Sequence, residues 1–143
     1  ERETLRPVAC GSYLIPDSAD TMSWNLGNHG FEMLLSPRVP EVIGKHLRPW
    51  MENWLSGHGL TLGDVGSWAV HPGGPRILNA VEESLGLERT ATAVSREVLA
   101  QFGNMSSPTI LFILDRLRQR GAERPCVALG FGPGLAVEAA LFR

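Results

Sequence analysis

A histidine and an asparagine are the residues of this sequence whose settings suggest catalysis. His71 follows the apolar run at 68–70 and precedes a corner of prolines and glycines at 72–75, which cannot continue a strand. Asn104 follows Gly103 and precedes an apolar segment with the pattern of a helix. A ring N–H and a carboxamide N–H presented at the ends of two elements can converge on one carbonyl oxygen. Such a pair of donors stabilises an enolate or another oxyanion.

Both residues also have structural interpretations. A histidine beside a turn is often structural, but here the glycines allow close approach of a ligand and the prolines fix the corner. Ligands of α/β sheets also gather at the carboxyl ends of strands, where His71 is expected. Asn104 could simply cap the following helix. Ser106 could belong to the same cap or face the same cavity. The other three histidines are predicted in loops or on a charged helix: His29, His46 and His58.

The spacing of apolar residues predicts an α/β domain with a mixed sheet and flanking helices. A strand is expected over 5–15, a loop or short ribbon over 19–30 and a second short strand over 31–35. Helices are expected over 39–55, 77–85, 94–102 and 105–117. Further strands are expected over 67–70, 127–131 and 135–142, the last two forming a closing β-hairpin.

Composition limits the possible partners. The chain has 143 residues and a net charge of −2 with no long basic run, so we do not expect nucleic acid as a partner. No apolar run is long enough to span a membrane and no signal peptide is visible. The two cysteines, Cys10 and Cys126, are predicted to be buried free thiols, and no spacing suggests a zinc site. The charged start and the apolar end suggest that the sequence was cut from a longer one.

Three further features favour structural roles. The glycine-rich stretch at 130–134 joins two strands and lacks a following lysine or helix, so it is a turn that shapes a cavity wall rather than a phosphate loop. Arg76 is a candidate phosphate contact or, more simply, a surface residue. The arginines at the end of the fourth predicted helix complement its dipole in solvent: Arg116, Arg118 and Arg120.

Three motifs resemble the C-terminal half of type III polyketide synthases, the chalcone and stilbene synthase family. They are WAVHPGGP at 68–75, GNMSS at 103–107 and GFGPGL at 130–135. The segments IPDS at 15–18 and SREVL at 95–99 extend the likeness to nearly the whole chain. The resemblance implies that residues 1–143 form the C-terminal half of a thiolase-like fold. It also implies that the enzyme is a cytoplasmic homodimer.

The resemblance also implies roles for individual residues. His71 and Asn104 match two members of a Cys-His-Asn triad, whose nucleophilic cysteine lies in an N-terminal half that this sequence lacks. It implies decarboxylative condensation of malonyl-CoA onto an acyl-CoA starter, with coenzyme A thioesters as substrates and no further cofactor. Residues implied to line the cavity are Trp24, Met33, Ser106, Phe131, Gly132, Pro133 and Gly134. Residues implied near the coenzyme A tunnel are Gly73, Gly74 and Arg76.

Two expectations follow. Trp24 is bulky where the family commonly has a smaller residue, which predicts a reduced cavity, although a tryptophan packed in the core is an equal possibility. The chain alone is expected not to condense acyl-CoAs, because neither cysteine matches the nucleophile's motif. The alternative is a truncated domain without catalysis that packs against or binds a partner.

Overall fold

The computed structural model describes residues 4–143 and confirms the alternation of strands and helices. The strands are β1 (Pro7–Leu14), β2 (Met22–Gly27), β3 (Gly30–Leu35), β4 (Ser67–Val70), β5 (Cys126–Gly132) and β6 (Ala136–Phe142). The helices are α1 (Val39–Ser56), α2 (Pro75–Leu85), α3 (Ala93–Phe102) and α4 (Pro108–Gln119). Short 3₁₀ turns occupy Leu62–Asp64 and Arg89–Thr92.

Four strands form the mixed sheet in the order β1-β6-β5-β4. β4 and β5 are parallel, whereas β6 is antiparallel to both of its neighbours. The predicted closing hairpin is therefore confirmed as β5 and β6. β2 and β3 form a separate antiparallel ribbon, so the segment predicted as a loop or ribbon contains a true strand.

The two faces of the sheet are covered unequally. On one face α1 and α2 pack against β4, β5 and β6 in a large apolar cluster that includes Val70, Leu129 and Val137. On the other face α3 and α4 form a smaller cluster with Ala69 of β4 and Ala128 of β5. The second cluster leaves the β1 side of its face open, which is why side chains of β1 are exposed there.

Helix α1 illustrates how the pattern of the sequence sets the packing. Its apolar residues recur at every fourth position, which aligns them along one side of a helix. All of them are at most 1% exposed: Val39, Ile43, Leu47, Met51 and Leu55. The helix therefore seals the first face of the sheet.

Two predictions at single residues were wrong. Cys10 is exposed rather than buried, because it lies on the uncovered face of β1, whereas Cys126 is buried; both thiols are free. Helix α4 begins at Pro108 rather than near residue 105, because Ser106 has a φ of +63°, which an α-helix cannot include. Asn104 is therefore not the N-cap of α4; Ser107 holds that position.

Within residues 4–143, no helix is long and apolar enough to cross a membrane. The same described residues contain no group of three or more histidine, cysteine or acidic side chains that could hold a metal ion.

Candidate active site

His71 directly follows β4 and is held by the neighbouring parallel strand. Its backbone N–H donates to the carbonyl of Leu129 at 2.7 Å. The side chain is half-buried, and this burial lowers the pKa of the imidazole below its ordinary value of 6.5. The lowered pKa favours the neutral imidazole at pH 7, and that form carries one ring N–H.

The alternation of β4 identifies the sheet face on which the imidazole lies. Val70 belongs to the cluster under α1 and α2, whereas Ala69 belongs to the cluster under α3 and α4. Because successive side chains of a strand point to opposite faces, His71 continues on the α3–α4 face. A Cβ built on Gly130 would lie 3.8 Å from the Cβ of His71, which agrees with this placement.

Asn104 lies in the turn that connects α3 to α4. Its Oδ1 accepts a hydrogen bond from the backbone N–H of Ser106 at 2.8 Å. That bond occupies the carbonyl end of the carboxamide, so the Nδ2–H groups are the donors that remain. The side chain is exposed in this chain, so its N–H groups are accessible to a ligand.

Connectivity brings Asn104 to the same end of the sheet as His71. A short loop joins α4 to the start of β5, so α4 runs antiparallel to β5 while packing against β4 and β5. The start of α4 and the ends of β4 and β5 therefore lie at one edge, which we call the carboxyl edge. His71 and Asn104 share this edge and the same face of the sheet.

The turn between β5 and β6 and the β2–β3 ribbon meet at the carboxyl edge. Gly134 has a φ of +75° and donates its N–H to the carbonyl of Met22, at the start of the ribbon, over 2.6 Å. Trp24 and Met33 are cross-strand partners on one face of the ribbon. Trp24 is 47% exposed and packs edge-on against Phe31, so it does not lie in the core of the described chain.

The other residues singled out from the sequence are placed as follows. Gly132 ends β5, Pro133 begins the turn at the carboxyl edge, and Ser106 is exposed beside Asn104. Phe131 packs against the cluster under α1 and α2, so the structure does not bring it together with His71. The residues that follow His71 lie in the loop before α2 or in its first turn: Gly73, Gly74 and Arg76.

The expected solvent role of the arginines at the end of α4 needs correction. Arg116 lies over the Phe102 ring at 5.3 Å from its centroid and pairs with Glu97. Arg120 donates to the same carboxylate at 2.6 Å. Arg116 and Arg120 therefore link the end of α4 to α3 through Glu97, while both side chains remain partly exposed to solvent.

Comparison with protein families matches residues 8–143 to the C-terminal domain of chalcone and stilbene synthases. The chain belongs to this family. It is 36% identical to the 3,5-dihydroxyphenylacetyl-CoA synthase of Amycolatopsis balhimycina, over 96% of the chain and 38% of that protein. It is also 36% identical to the 1,3,6,8-tetrahydroxynaphthalene synthase of Streptomyces peucetius subsp. caesius, over 95% of the chain and 37% of that protein.

A solved structure supports the same conclusion. PKS-I from the brown alga Ectocarpus siliculosus superposes with a TM-score of 0.93 at 33% identity, covering 98% of this chain and 39% of that one. The chain therefore has the fold of this family's C-terminal domain, which is one part of a thiolase-like fold. It spans well under half the length of the relatives that it matches.

Neither cysteine of this synthase domain stands beside His71. Cys126 begins β5, at the edge of the sheet opposite the carboxyl edge, and burial raises the pKa of its thiol. Cys10 lies in β1, which is separated from β5 by β6. Cys126 therefore lies away from His71, and two strands of the sheet separate Cys10 from β4.

Sequence reasoning missed two hydroxyls that adjoin the site. Ser95 and Thr109 are both fully buried. The Ser95 Oγ accepts from the Val70 N–H at 3.1 Å, and the Thr109 Oγ1 accepts from the Met105 N–H at 2.9 Å. Because both hydroxyls lie in helices and their partners lie far away or in a turn, no periodicity of the sequence identifies them.

Proposed function

We propose that this domain supplies the two oxyanion donors of a type III polyketide synthase that condenses malonyl-CoA onto an acyl-CoA starter. The observation that carries the proposal is the position of His71 and Asn104 at one edge and on one face of the sheet. The family membership and the names of the relatives, which describe synthases, support it independently.

The chemistry follows from the two donors. The thioester carbonyl of malonyl-CoA accepts from the ring N–H of His71 and from the Nδ2–H of Asn104. When the malonyl carboxylate leaves as carbon dioxide, the bond between it and the α-carbon breaks. The electron pair of that bond forms an enolate with the thioester carbonyl, and the negative oxygen lies between those donors. A neutral imidazole can fill this role, because it keeps one ring N–H that donates a hydrogen bond to the oxygen. Removal of one such donor costs about 3 kcal/mol, or roughly a hundredfold in rate.

The remainder of the synthase completes the reaction in this proposal. A cysteine thiolate outside this chain carries the starter as a thioester, and the enolate carbon attacks its carbonyl and displaces the thiolate. The isolated chain consequently binds and decarboxylates poorly and forms no polyketide. We propose a cytoplasmic homodimer with no cofactor beyond its coenzyme A substrates. The loop residues Gly73, Gly74 and Arg76 are proposed to lie near the entry of those substrates.

The ribbon is proposed to form a wall of the cavity. Trp24 and Met33 share its apolar face, and Gly134 binds its base to the turn that follows Gly132 and contains Pro133. A bulky Trp24 on that wall would reduce the space for the growing chain, so Trp24→Gly is expected to change the starter size or chain length of the product. An unchanged product profile would contradict this role.

The proposal is tested in the longer protein that contains this chain. His71→Gln and Asn104→Ala are expected to lower the release of labelled carbon dioxide from malonyl-CoA at least a hundredfold. His58→Ala, at an exposed position in the loop after α1, is the matched control and should retain the rate. Equal rates in all of these variants would exclude the two donors.

A domain without catalysis is the second candidate, and the positions of Cys10 and Cys126 favour it for the isolated chain. The two candidates differ in what precedes the chain in its gene. An upstream half that carries a cysteine at the start of a thiolase-like helix supports the synthase. An upstream sequence without one supports a packing or partner-binding role.

A further inference from the structure

We infer that Ser95 and Thr109 are positioning residues, which hold the backbone beside the two candidate donors through buried hydroxyl groups. The effect that we predict on the reaction rate rests on the proposed function. The geometric part of the inference concerns two hydrogen bonds and stands without any assumption about substrate.

The first hydroxyl holds the strand that ends in His71. β4 lies at the side of the sheet, with β5 as its only strand partner among the described residues. The Val70 N–H donates to the Ser95 Oγ at 3.1 Å, and the next residue, His71, donates its N–H to Leu129 of β5 at 2.7 Å. Two successive backbone groups are thus fixed from opposite sides, one by α3 and one by β5.

The second hydroxyl holds the turn that contains Asn104. The Met105 N–H donates to the Thr109 Oγ1 at 2.9 Å, while the Ser106 N–H donates to Asn104 itself. Ser106 has a positive φ, so this turn is not a continuation of either helix. The Thr109 hydroxyl therefore ties an irregular segment to the first turn of α4.

Burial makes both bonds persistent. Ser95 and Thr109 are 0% exposed, and no buried side-chain nitrogen or oxygen in the described part of the chain lacks a partner. If either hydroxyl is removed, the buried Val70 N–H or the partly buried Met105 N–H loses its acceptor, and the segment must move to reach another one. A shift of about 1 Å in a catalytic group can lower a rate a hundredfold.

Thr109 offers a matched pair of variants for the test. Thr109→Val keeps the shape but removes the hydroxyl, whereas Thr109→Ser keeps the hydroxyl. In the longer protein, Thr109→Val is expected to lower kcat for malonyl-CoA decarboxylation by about ten- to a hundredfold with little change in KM, and Thr109→Ser to restore it. Equal kcat values for the two variants would overturn the inference at this position.

Ser95 is tested by the state of the imidazole. In protein labelled with ¹⁵N-histidine, with the His71 signals assigned from His71→Gln, Ser95→Ala is expected to bring the pKa of His71 closer to 6.5. It should also accelerate hydrogen exchange of the Val70 amide at least tenfold. Unchanged titration and exchange would overturn the inference, even in a variant that loses stability.

The two sets of measurements separate the inference from the proposed function. If His71→Gln leaves decarboxylation intact, the proposed function fails, while the titration and exchange still decide whether Ser95 positions His71. If the donors are required but Ser95→Ala and Thr109→Val change nothing, only the positioning role fails.

Discussion

At the scale of single residues, His71 differs from an ordinary surface histidine in its protonation. Burial of the imidazole in the protein is what lowers its pKa. The folded domain thus favours the neutral form, which donates to an enolate oxygen through a single ring N–H. Asn104 needs no such adjustment, because a carboxamide keeps its N–H groups at every physiological pH.

A lowered histidine pKa makes stability dependent on pH. As the pH falls below 6.5, the unfolded chain takes up a proton at His71 before the folded chain does, so the free energy of unfolding decreases. The free energy of unfolding has its full value above pH 6.5, where His71 is neutral in both states. It decreases as the pH falls towards the lower pKa of the folded chain. Urea unfolding at pH 7.5 and pH 5.5 measures the loss.

The comparison that isolates His71 is with His71→Gln. The other three histidines contribute equally to both proteins, so the wild-type chain should lose more stability between the two pH values than the variant does. An equal loss in both would show that His71 titrates alike in the folded and unfolded chains.

At the scale of elements, the end of α3 shows how a backbone requirement positions a side chain. Gly103 ends the helix with φ +71° and ψ −166°, a conformation that is practically restricted to glycine. It turns the chain out of α3 so that Asn104 follows in the open turn. The GN pair of the sequence motif thus has a conformational cause as well as a chemical one.

Gly103→Ala is expected to destabilise the domain by about 1–3 kcal/mol, because alanine is strained at this φ and ψ. Gly44→Ala is the matched control, since both glycines have no atom within 4 Å of an added Cβ. Gly44 lies in α1, where alanine should stabilise by about 0.5–1 kcal/mol. Chemical denaturation measures the free energy of unfolding of both variants. If Gly103→Ala loses no stability, the backbone conformation assigned to Gly103 is contradicted.

At the scale of the whole molecule, the exposed apolar residues cluster where the chain lacks cover. On the outer side of α3 and α4 these are Phe102, Leu111 and Phe112; on the ribbon they are Trp24, Leu26, Phe31, Met33, Leu34 and Leu35. A stable monomer seldom leaves this much apolar surface open. The chain covers 38% of the length of a curated relative, so we attribute the missing cover to the rest of the synthase.

Leu111→Glu tests this attribution, because its effect on stability should differ between the 143-residue chain and the longer protein. Leu111 is 64% exposed in this chain, so the substitution should change the stability of the 143-residue chain very little. In the longer protein it should cost about 2–3 kcal/mol, because a charge would enter a covered apolar contact. Thermal unfolding of both proteins gives the two values.

Asn53→Glu, at an exposed position of α1, is the control and should be nearly neutral in both proteins. If Leu111→Glu is equally harmless in the longer protein, the side of α4 that carries Leu111 is not where the rest of the synthase packs.

The sequence by itself predicted most of the elements and marked the two candidate donors. Steps of three and four defined α1, and the Pro/Gly corner and the Gly-Asn pair marked His71 and Asn104, because these signals depend only on neighbours along the chain. The start of α4, the exposure of Cys10 and the roles of Ser95 and Thr109 were decided by tertiary structure. Each depends on which surface another element covers, and on contacts between residues distant in sequence, which local patterns do not contain.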